Sequence, residues 1–351
     1  GFFFTFISAC GGGGGSDSAA TETTPEPTLF STATAFAATA LVATDFDGYD
    51  LPLTDESSYL VTVLGMLGTG SNAVALNDDG VIGGNYFRGP GLVSGYRWEN
   101  GLLETVIENG QMTAVGENGV IVGWEDMTSG SSACFAEGTS PVSLDLVAES
   151  KVDGTNSFGE MVGLIRTEEH DFPFWADGND VLTFADGFDG YANLINDSGL
   201  IVLHENLADG CVAPAIYDND AITRLETYGG KYTFTRDVNV HGEIVGWAMS
   251  SPTTYKAVMW VDGEIIDLTP PDENHCAAVG INDYSDVVIK CQDGTGGGSR
   301  AYLSSSSGAL TPLEFSGATG ITPNALNNRG QIAGWLTTSQ GETRSFLATP
   351  R

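Results

Sequence analysis

The chain has 351 residues, 41% of them hydrophobic, with 46 acidic against 13 basic side chains and a net charge of −33. That apolar share suffices for a core and argues against global disorder, and the length admits one large domain or two ordinary ones. The charge repels nucleic acid and anionic lipid, which excludes both as partners; the acids are scattered rather than blocked, so they read as a solvated exterior in preference to a cation-binding surface.

Gly1–Cys10 reads Gly-Phe-Phe-Phe-Thr-Phe-Ile-Ser-Ala-Cys. With no Met and no basic start, residues 1–10 are expected to be a truncated signal peptide, an apolar run followed by small residues. Ile7-Ser8-Ala9-Cys10 resembles the bacterial lipobox, which implies that Cys10 is acylated and becomes the mature N-terminus. Gly11 rather than Asp after that Cys implies the outer membrane. An ordinary signal peptide with a chance Cys is the alternative. Residues 11–28 are Gly, Ser, Thr, Pro and acids, a flexible tether spanning on the order of 25 Å. The rest of residues 11–58 is Ala/Thr-rich, then acidic, and has no assigned role. Its Asp45-Phe46-Asp47-Gly48-Tyr49-Asp50 lacks the closing Glu of an EF-hand loop and reads as an acidic turn. No later stretch approaches the ~20 continuous apolar residues of a spanning helix. The expected location is the outer membrane or cell surface, with membrane contact only through the lipid anchor; otherwise the protein is secreted.

From residue 59 to 351 the chain is a set of repeats. The phrase Asn-Val-His-Gly-Glu-Ile-Val-Gly-Trp at Asn239–Trp247 is the best copy. Its turn residue recurs at Gly80, Gly119, Gly159, Gly199, Gly242, Ser285 and Gly330, spaced 39 to 45 residues apart. Three residues earlier stand Asn77, Gly116, Asn156, Asn196, Asn239, Asn282 and Asn327. Asn followed three residues later by Gly is type I turn chemistry, in which the Asn side chain accepts a backbone hydrogen bond and the Gly takes positive φ. Four residues past the turn, Gly84, Gly123, Gly163, Gly246 and Gly334 fall inside a strand, which marks close approach by another backbone or a ring.

Each unit has room for four short strands. In the fifth they are expected at Tyr232–Val238, Glu243–Ala248, Tyr255–Val261 and Glu264–Leu268, with a variable loop, Met249–Thr254, between the second and third. Four strands in about 40 residues make a β-propeller blade; the Gly, Asn and β-branched content argues against a helical solenoid of the same period. The seventh unit, Gly317–Arg351, stops after its third strand, Arg344–Ala348, whereas Tyr59–Leu64 reads like a surplus fourth strand. The expectation is an all-β, seven-bladed propeller of four-stranded blades, its ring closed by that N-terminal strand so that no sheet edge is left open.

Tyr59–Gly84, together with the Asn-x-x-Gly-x-Ile-Val-Gly phrases, resembles the start of HAF-repeat extracellular proteins. The His-Ala-Phe-x-Trp half of that repeat is degenerate here; Ala257-Val-Met-Trp260 and Ser345-Phe-Leu-Ala348 are the nearer copies. The resemblance covers 59–351 and implies a secreted or surface propeller. It implies no reaction.

The chemistry-bearing residues are few. Cys276 and Cys291 each lie six residues outside the Asn282–Ser285 turn, opposite one another on adjacent antiparallel strands, and are favoured as a disulfide; reduced, buried thiols are the alternative. Cys134 and Cys211 fall in units that are not neighbours. The histidines His170, His204, His241 and His275 have no zinc-pair spacing, so no metal and no cofactor is expected. His170 and His204 fall in or near the loops of neighbouring units, where a shared cleft is open to them. Gly294–Ser299 has no Lys to follow and reads as a loop rather than a phosphate cradle. Five residues past each turn stand Trp124, Trp247 and Trp335, with Asn85, Leu164, His204 and Lys290 in the same column. Trp124, Trp247, Trp335, His170 and His204 form the candidate ligand face: indoles entering the second-to-third-strand loops, beside the channel, can stack on sugar rings or a peptide. The competing reading packs the indoles against a neighbouring blade's glycines.

Three functions remain. The first is a tethered, monomeric binding module for a glycan or protein. The second is a polysaccharide lyase or glycosidase using loop residues such as Glu168, Glu169, His170, Glu205 and Arg88. The third is an envelope scaffold. Fold alone does not choose among them.

Overall fold

The computed structural model describes residues 59–65, 68–127, 130–138, 140–144, 146, 148–184, 187–292 and 299–351. The lipid-anchor Cys10, the tether, the Asp45–Asp50 turn and most of the Gly294–Ser299 loop lie outside the described residues.

Twenty-eight strands and no helix make up the described chain, arranged as seven four-stranded antiparallel sheets. The strands facing the central axis are Ser71–Leu76, Gly110–Val115, Glu149–Thr155, Gly190–Ile195, Thr233–Val238, Cys276–Ile281 and Ala318–Leu326. Each blade then runs outward in chain order, except the seventh. There Tyr59–Val63 pairs antiparallel with Thr343–Pro350, Tyr59 opposite Pro350 and Val63 opposite Phe346. The outer strand of the last blade is therefore the first strand of the chain, as the surplus-strand argument requires.

The fifth blade consists of Thr233–Val238, Ile244–Ser251, Thr254–Val261 and Glu264–Asp267. The expected six-residue loop after its second strand is shorter, because the strands stay paired out to Ser251 and Thr254.

There is no single core. Seven apolar clusters each occupy one blade-to-blade interface. Val106, Met112, Ile121 and Cys134 join the first two blades; Val202, Ile244 and Trp260 join the fourth and fifth. Tyr59 and Val61, on the closing strand, pack with Val279, Phe315 and Phe346 between the last two blades. Burial of each Val, Leu, Ile or Phe contributes about 1.5–3 kcal/mol, so the ring is held by the contacts that close it.

The repeated glycines inside the second strands meet their own blade's innermost strand. A Cβ on Gly123, Gly163 or Gly246 would sit 2.0–2.1 Å from the carbonyl oxygen of Gln111, Lys151 or Phe234. The close approach expected there is to backbone, and at Gly84 and Gly163 also to the rings of Tyr96 and Phe174. In blades four and six the same position holds Leu203 and Ile289, both buried.

Candidate functional site

The seven turns, five of them Asn-x-x-Gly with Gly116 opening the second and Ser285 closing the sixth, gather at one mouth of the central channel. The fourth residue of each turn has φ between 61° and 82°, including Ser285 at 61°. The Asn side chain does more than cap its own turn. Asn239 Oδ1 accepts from the backbone N–H of His241 and Glu243 at 3.1 and 3.0 Å, while its Nδ2 donates to the carbonyl of Asn282 in the next blade at 3.2 Å. The same inter-blade bond runs from Asn77 to Gly116, Asn156 to Asn196, Asn196 to Asn239, and Asn327 to Asn77. A second ring lies beside it. In five of the seven turns the second residue accepts a backbone N–H from the blade before: Glu117 from Asp78, Asp197 from Ser157, Asp283 from Val240, Asn328 from Asp283, and Asp78 from Asn328. These rings are structural, and their carboxylates make this mouth acidic. Burial, with the nearby Asp78, Asp197 and Asp79, pushes the Glu117 carboxyl up to about 7.

Above the turns each innermost strand carries a β-bulge. The unpaired residues are Val74, Thr113, Asp153, Asn193, Arg236, Val279 and Asn324, one per blade, each six residues before the turn glycine or Ser285. All seven line the channel, a lumen of about 1070 Å³. A bulge re-aims one side chain without ending the strand, which is how the ring presents these residues inward. Five of them serve the fold. Thr113 donates to the carbonyl of Val152, Asn193 to Thr235 and Asn324 to the carbonyl of Ala73, each in the following blade; Val74 and Val279 join interface clusters. Asp153 and Arg236 form no hydrogen bond or ion pair among the described residues. This column was visible in the spacing, but a run of Val, Thr, Asp, Asn, Arg, Val and Asn shows no conserved chemistry to draw attention to it.

The other channel mouth, away from the turns, carries an aromatic ladder over blades four to six. Tyr191, His204, Phe234, Trp247, Tyr255 and His275 follow one another with ring centroids 5.0–5.3 Å apart. Tyr191, His204, Phe234 and Trp247 line the lumen, as does Lys290. His204 is fully buried. Its Nε2 accepts from the Thr235 backbone N–H at 3.0 Å, so the proton resides on Nδ1. Burial first, and then the Arg236 charge, push its pKa down to about 3, which keeps the ring neutral. Asn85, in the equivalent position of blade one, reads the next blade in the same way: Oδ1 accepts from Met112 N and Nδ2 donates to Met112 O.

The charges in the lumen are not paired off. Lys290 is pushed down to about 8 by burial and then by Arg236. Arg236 is lowered by burial and raised only by Tyr191. Among the described residues neither side chain forms an ion pair with a carboxylate. Arg236 reaches solvent through the lumen while protein surrounds it, so its charge is incompletely hydrated rather than dry. Asp153 and Asp237 are each pushed up to about 7, in both cases chiefly by burial; Lys151 opposes this at Asp153, and backbone donation from Ile281 and Val238 opposes it at Asp237.

Of the five candidate ligand-face residues, the structure brings Trp247 and His204 together at this mouth. Trp124 lies half-buried beneath the Lys151 ammonium, 4.5 Å from the ring centroid, and Trp335 pairs across its blade with Thr322 and Ser345; neither lines the lumen. His170 sits in an exposed loop, 3.9 Å from Asp189, and does not line the lumen either. Cys276 and Cys291 face each other across the first two strands of blade six and are joined as a disulfide. Cys134 is buried, Cys211 is half-buried, and both are free thiols. Arg88 and Glu205 are spent on neighbours, Arg88 on Asn109 and Glu205 on Arg224. Among the described residues no cluster of His, Cys, Asp and Glu has the arrangement to hold a metal.

No family model matches the sequence. No curated protein matches it either. Solved propellers do match its fold. The β-propeller domain of the Trilobed protease from Pyrococcus furiosus, described as having an open velcro topology, superposes with a TM-score of 0.56 at 11% identity over 79% of this chain and 95% of that one. Pyrococcus horikoshii acylaminoacyl peptidase gives a TM-score of 0.57 at 11% identity, covering 79% of this chain and 51% of its own. A catalytically inactive virginiamycin B lyase from Staphylococcus aureus, solved with quinupristin, gives 0.54 at 11% identity over 84% of this chain and all of its own. At such identities the likeness is to the fold alone, and the chain is a seven-bladed β-propeller closed by its N-terminal strand.

Proposed function

We propose that this propeller is an extracytoplasmic binding module, of the HAF-repeat kind, tethered through an acylated Cys10 and holding a glycan or protein partner at the channel mouth opposite the Asn turns. The observation that carries this reading is the Tyr191–His275 ladder. Six rings in continuous contact, four of them lining a lumen of about 1070 Å³, present an amphipathic surface suited to sugar rings or to aromatic side chains. Retention of envelope polysaccharides or proteins on the immobilised chain tests it. A Phe234→Ala/Trp247→Ala double variant that stays folded is expected to lose at least about tenfold in affinity, as removal of anchoring aromatics does elsewhere. Unchanged retention would sink the proposal. The tether is checked separately, by labelling with a radioactive fatty acid that Cys10→Ser abolishes.

One observation favours the polysaccharide-acting enzyme as a second reading. Asp153, with a carboxyl near 7 and no hydrogen-bond partner among the described residues, faces the same lumen as Tyr191 and is poised as a general acid or base at neutral pH. Turnover of a polysaccharide that Asp153→Asn abolishes, with binding intact, would favour that reading over pure binding.

A further inference from the structure

The protein has only 13 basic residues against 46 acidic ones, yet two of the basic residues are placed inside the channel. Arg236 enters on the bulge of blade five, and Lys290 stands on the second strand of blade six. Among the described residues neither makes a hydrogen bond or ion pair. Arg300, Arg224 and Arg166, by contrast, each hold a carboxylate at 2.5–2.8 Å. Lys290 is half-buried and Arg236 is exposed to the lumen; the two like charges repel one another, which a bound counter-charge would relieve. Beside them the indole of Trp247 and the ring of Phe234 line the same wall, 5.1 Å apart. The opposite mouth, with Asp78, Glu117, Asp197 and Asp283, repels anions, so one enters from the ladder side.

We propose that Arg236 and Lys290 form a binding site for a single carboxylate borne on a saturated ring, an acidic sugar whose ring lies against Trp247 and Phe234. The proposal rests on the binding-module reading and narrows its ligand. The guanidinium takes the carboxylate oxygens through its fork of donors and the ammonium adds a point charge. The aromatic wall receives the C–H face of the ring. A monoanion suits the site better than a dianion, because Asp153 and Asp237 also face the lumen and the whole molecule is strongly negative. The lumen has room for a sugar of one or two rings.

The test is titration of the full chain with glucuronate, glucose and inorganic phosphate, followed by calorimetry or by the fluorescence of Trp247. Glucuronate is expected to bind at least about tenfold more tightly than glucose, and Arg236→Gln and Lys290→Met are each expected to weaken it about tenfold or more. Arg300→Gln, which removes a cation paired with Glu273 outside the lumen, is expected to leave it unchanged. Should Arg236→Gln fail to fold, the wild type itself decides. Above neutral pH, His204 is uncharged, Arg236 stays charged and Tyr191 is held up to about 12. Asp153, Asp237 and Glu117, near 7, complete their ionisation first and Lys290, near 8, then loses its charge; both changes disfavour an anion, so glucuronate affinity should fall as pH rises from about 7 to about 9. Equal binding of glucose and glucuronate, indifference to both substitutions, capture of phosphate alone, or no binding of any probe overturns the proposal. Retention of a neutral glycan or a protein, unaffected by Arg236→Gln, overturns it while the module reading stands; loss of all retention by the wild type removes both.

Discussion

Asn239 makes four hydrogen bonds from one amide, two to its own turn, one to Glu243 and one to the next blade. Removing it strands backbone groups in a buried site, so Asn239→Ala should cost about 3 kcal/mol in urea unfolding; a loss under ~1 kcal/mol would show that water replaces it. At the fourth turn position, Gly242→Ala should cost about 1–2 kcal/mol because residues with a side chain rarely adopt its φ of 78°. Ser285 occupies that same conformation, but its hydroxyl donates to Glu243 at 2.6 Å. Ser285→Gly therefore gains backbone ease and loses a hydrogen bond, and should stay within about 1 kcal/mol of wild type. His204 supplies a pH test. Its folded pKa is depressed to about 3 against about 6.5 unfolded, so the unfolded chain binds the extra proton first. The stability that depends on neutral His204 is present above about pH 6.5 and drains away as pH falls towards 3. Asp153 and Asp237, raised to about 7, slope the other way between about pH 4 and 7. His204→Asn borrows the residue that does this job at Asn85 and isolates the histidine term: on going from pH 7 to pH 5 the unfolding midpoint of the wild type should fall relative to that of the variant.

The blade was legible as an element because each of its parts is local. Turn chemistry, strand spacing and the Cys276/Cys291 symmetry about one turn all depend on residues within a few positions of each other. The structure pairs those two cysteines across the hairpin, and closing a loop of 15 residues restrains the unfolded chain by about 3 kcal/mol. Reduction, or Cys276→Ser/Cys291→Ser, should therefore lower stability by about that amount in urea, with blade six the first region to gain hydrogen exchange. The bulges were not legible. A bulge needs a count of residues on two paired strands, and Arg236 looks like any polar strand residue until Thr235 and Asp237 are seen to face Gly246 and Val245 with nothing opposite Arg236. The Trp column illustrates the same limit. Trp124, Trp247 and Trp335 share a sequence position, yet their surroundings differ: the next blade supplies Lys151 to Trp124, whereas Trp247 packs on Phe234 and Tyr255 of its own blade.

At the scale of the molecule, stability lies in the seven interfaces, so opening one should weaken them all. Beginning the chain after Val63 would expose the Thr343–Pro350 edge and remove Tyr59 and Val61 from the last interface. Such a chain should melt at a clearly lower temperature and associate through its open edge, seen as concentration-dependent light scattering. A monomeric variant melting with the wild type would show that the closing strand is dispensable. The sequence by itself determined the blade count, the four-strand unit, the turn residues and the strand that closes the ring, because a repeat writes the same local physics seven times and the exceptions cancel. Only the tertiary structure decided that the turn asparagines bond between blades, that Trp247 and His204 share a wall while Trp124, Trp335 and His170 do not, and that Arg236 and Lys290 line one lumen. Those facts concern what one blade presents to the next and to the axis. They depend on where the copies differ, and the meaning of a difference is set by neighbours about 40 residues away or across the ring, as with Asn77 and Gly116 or Asn327 and Asn77.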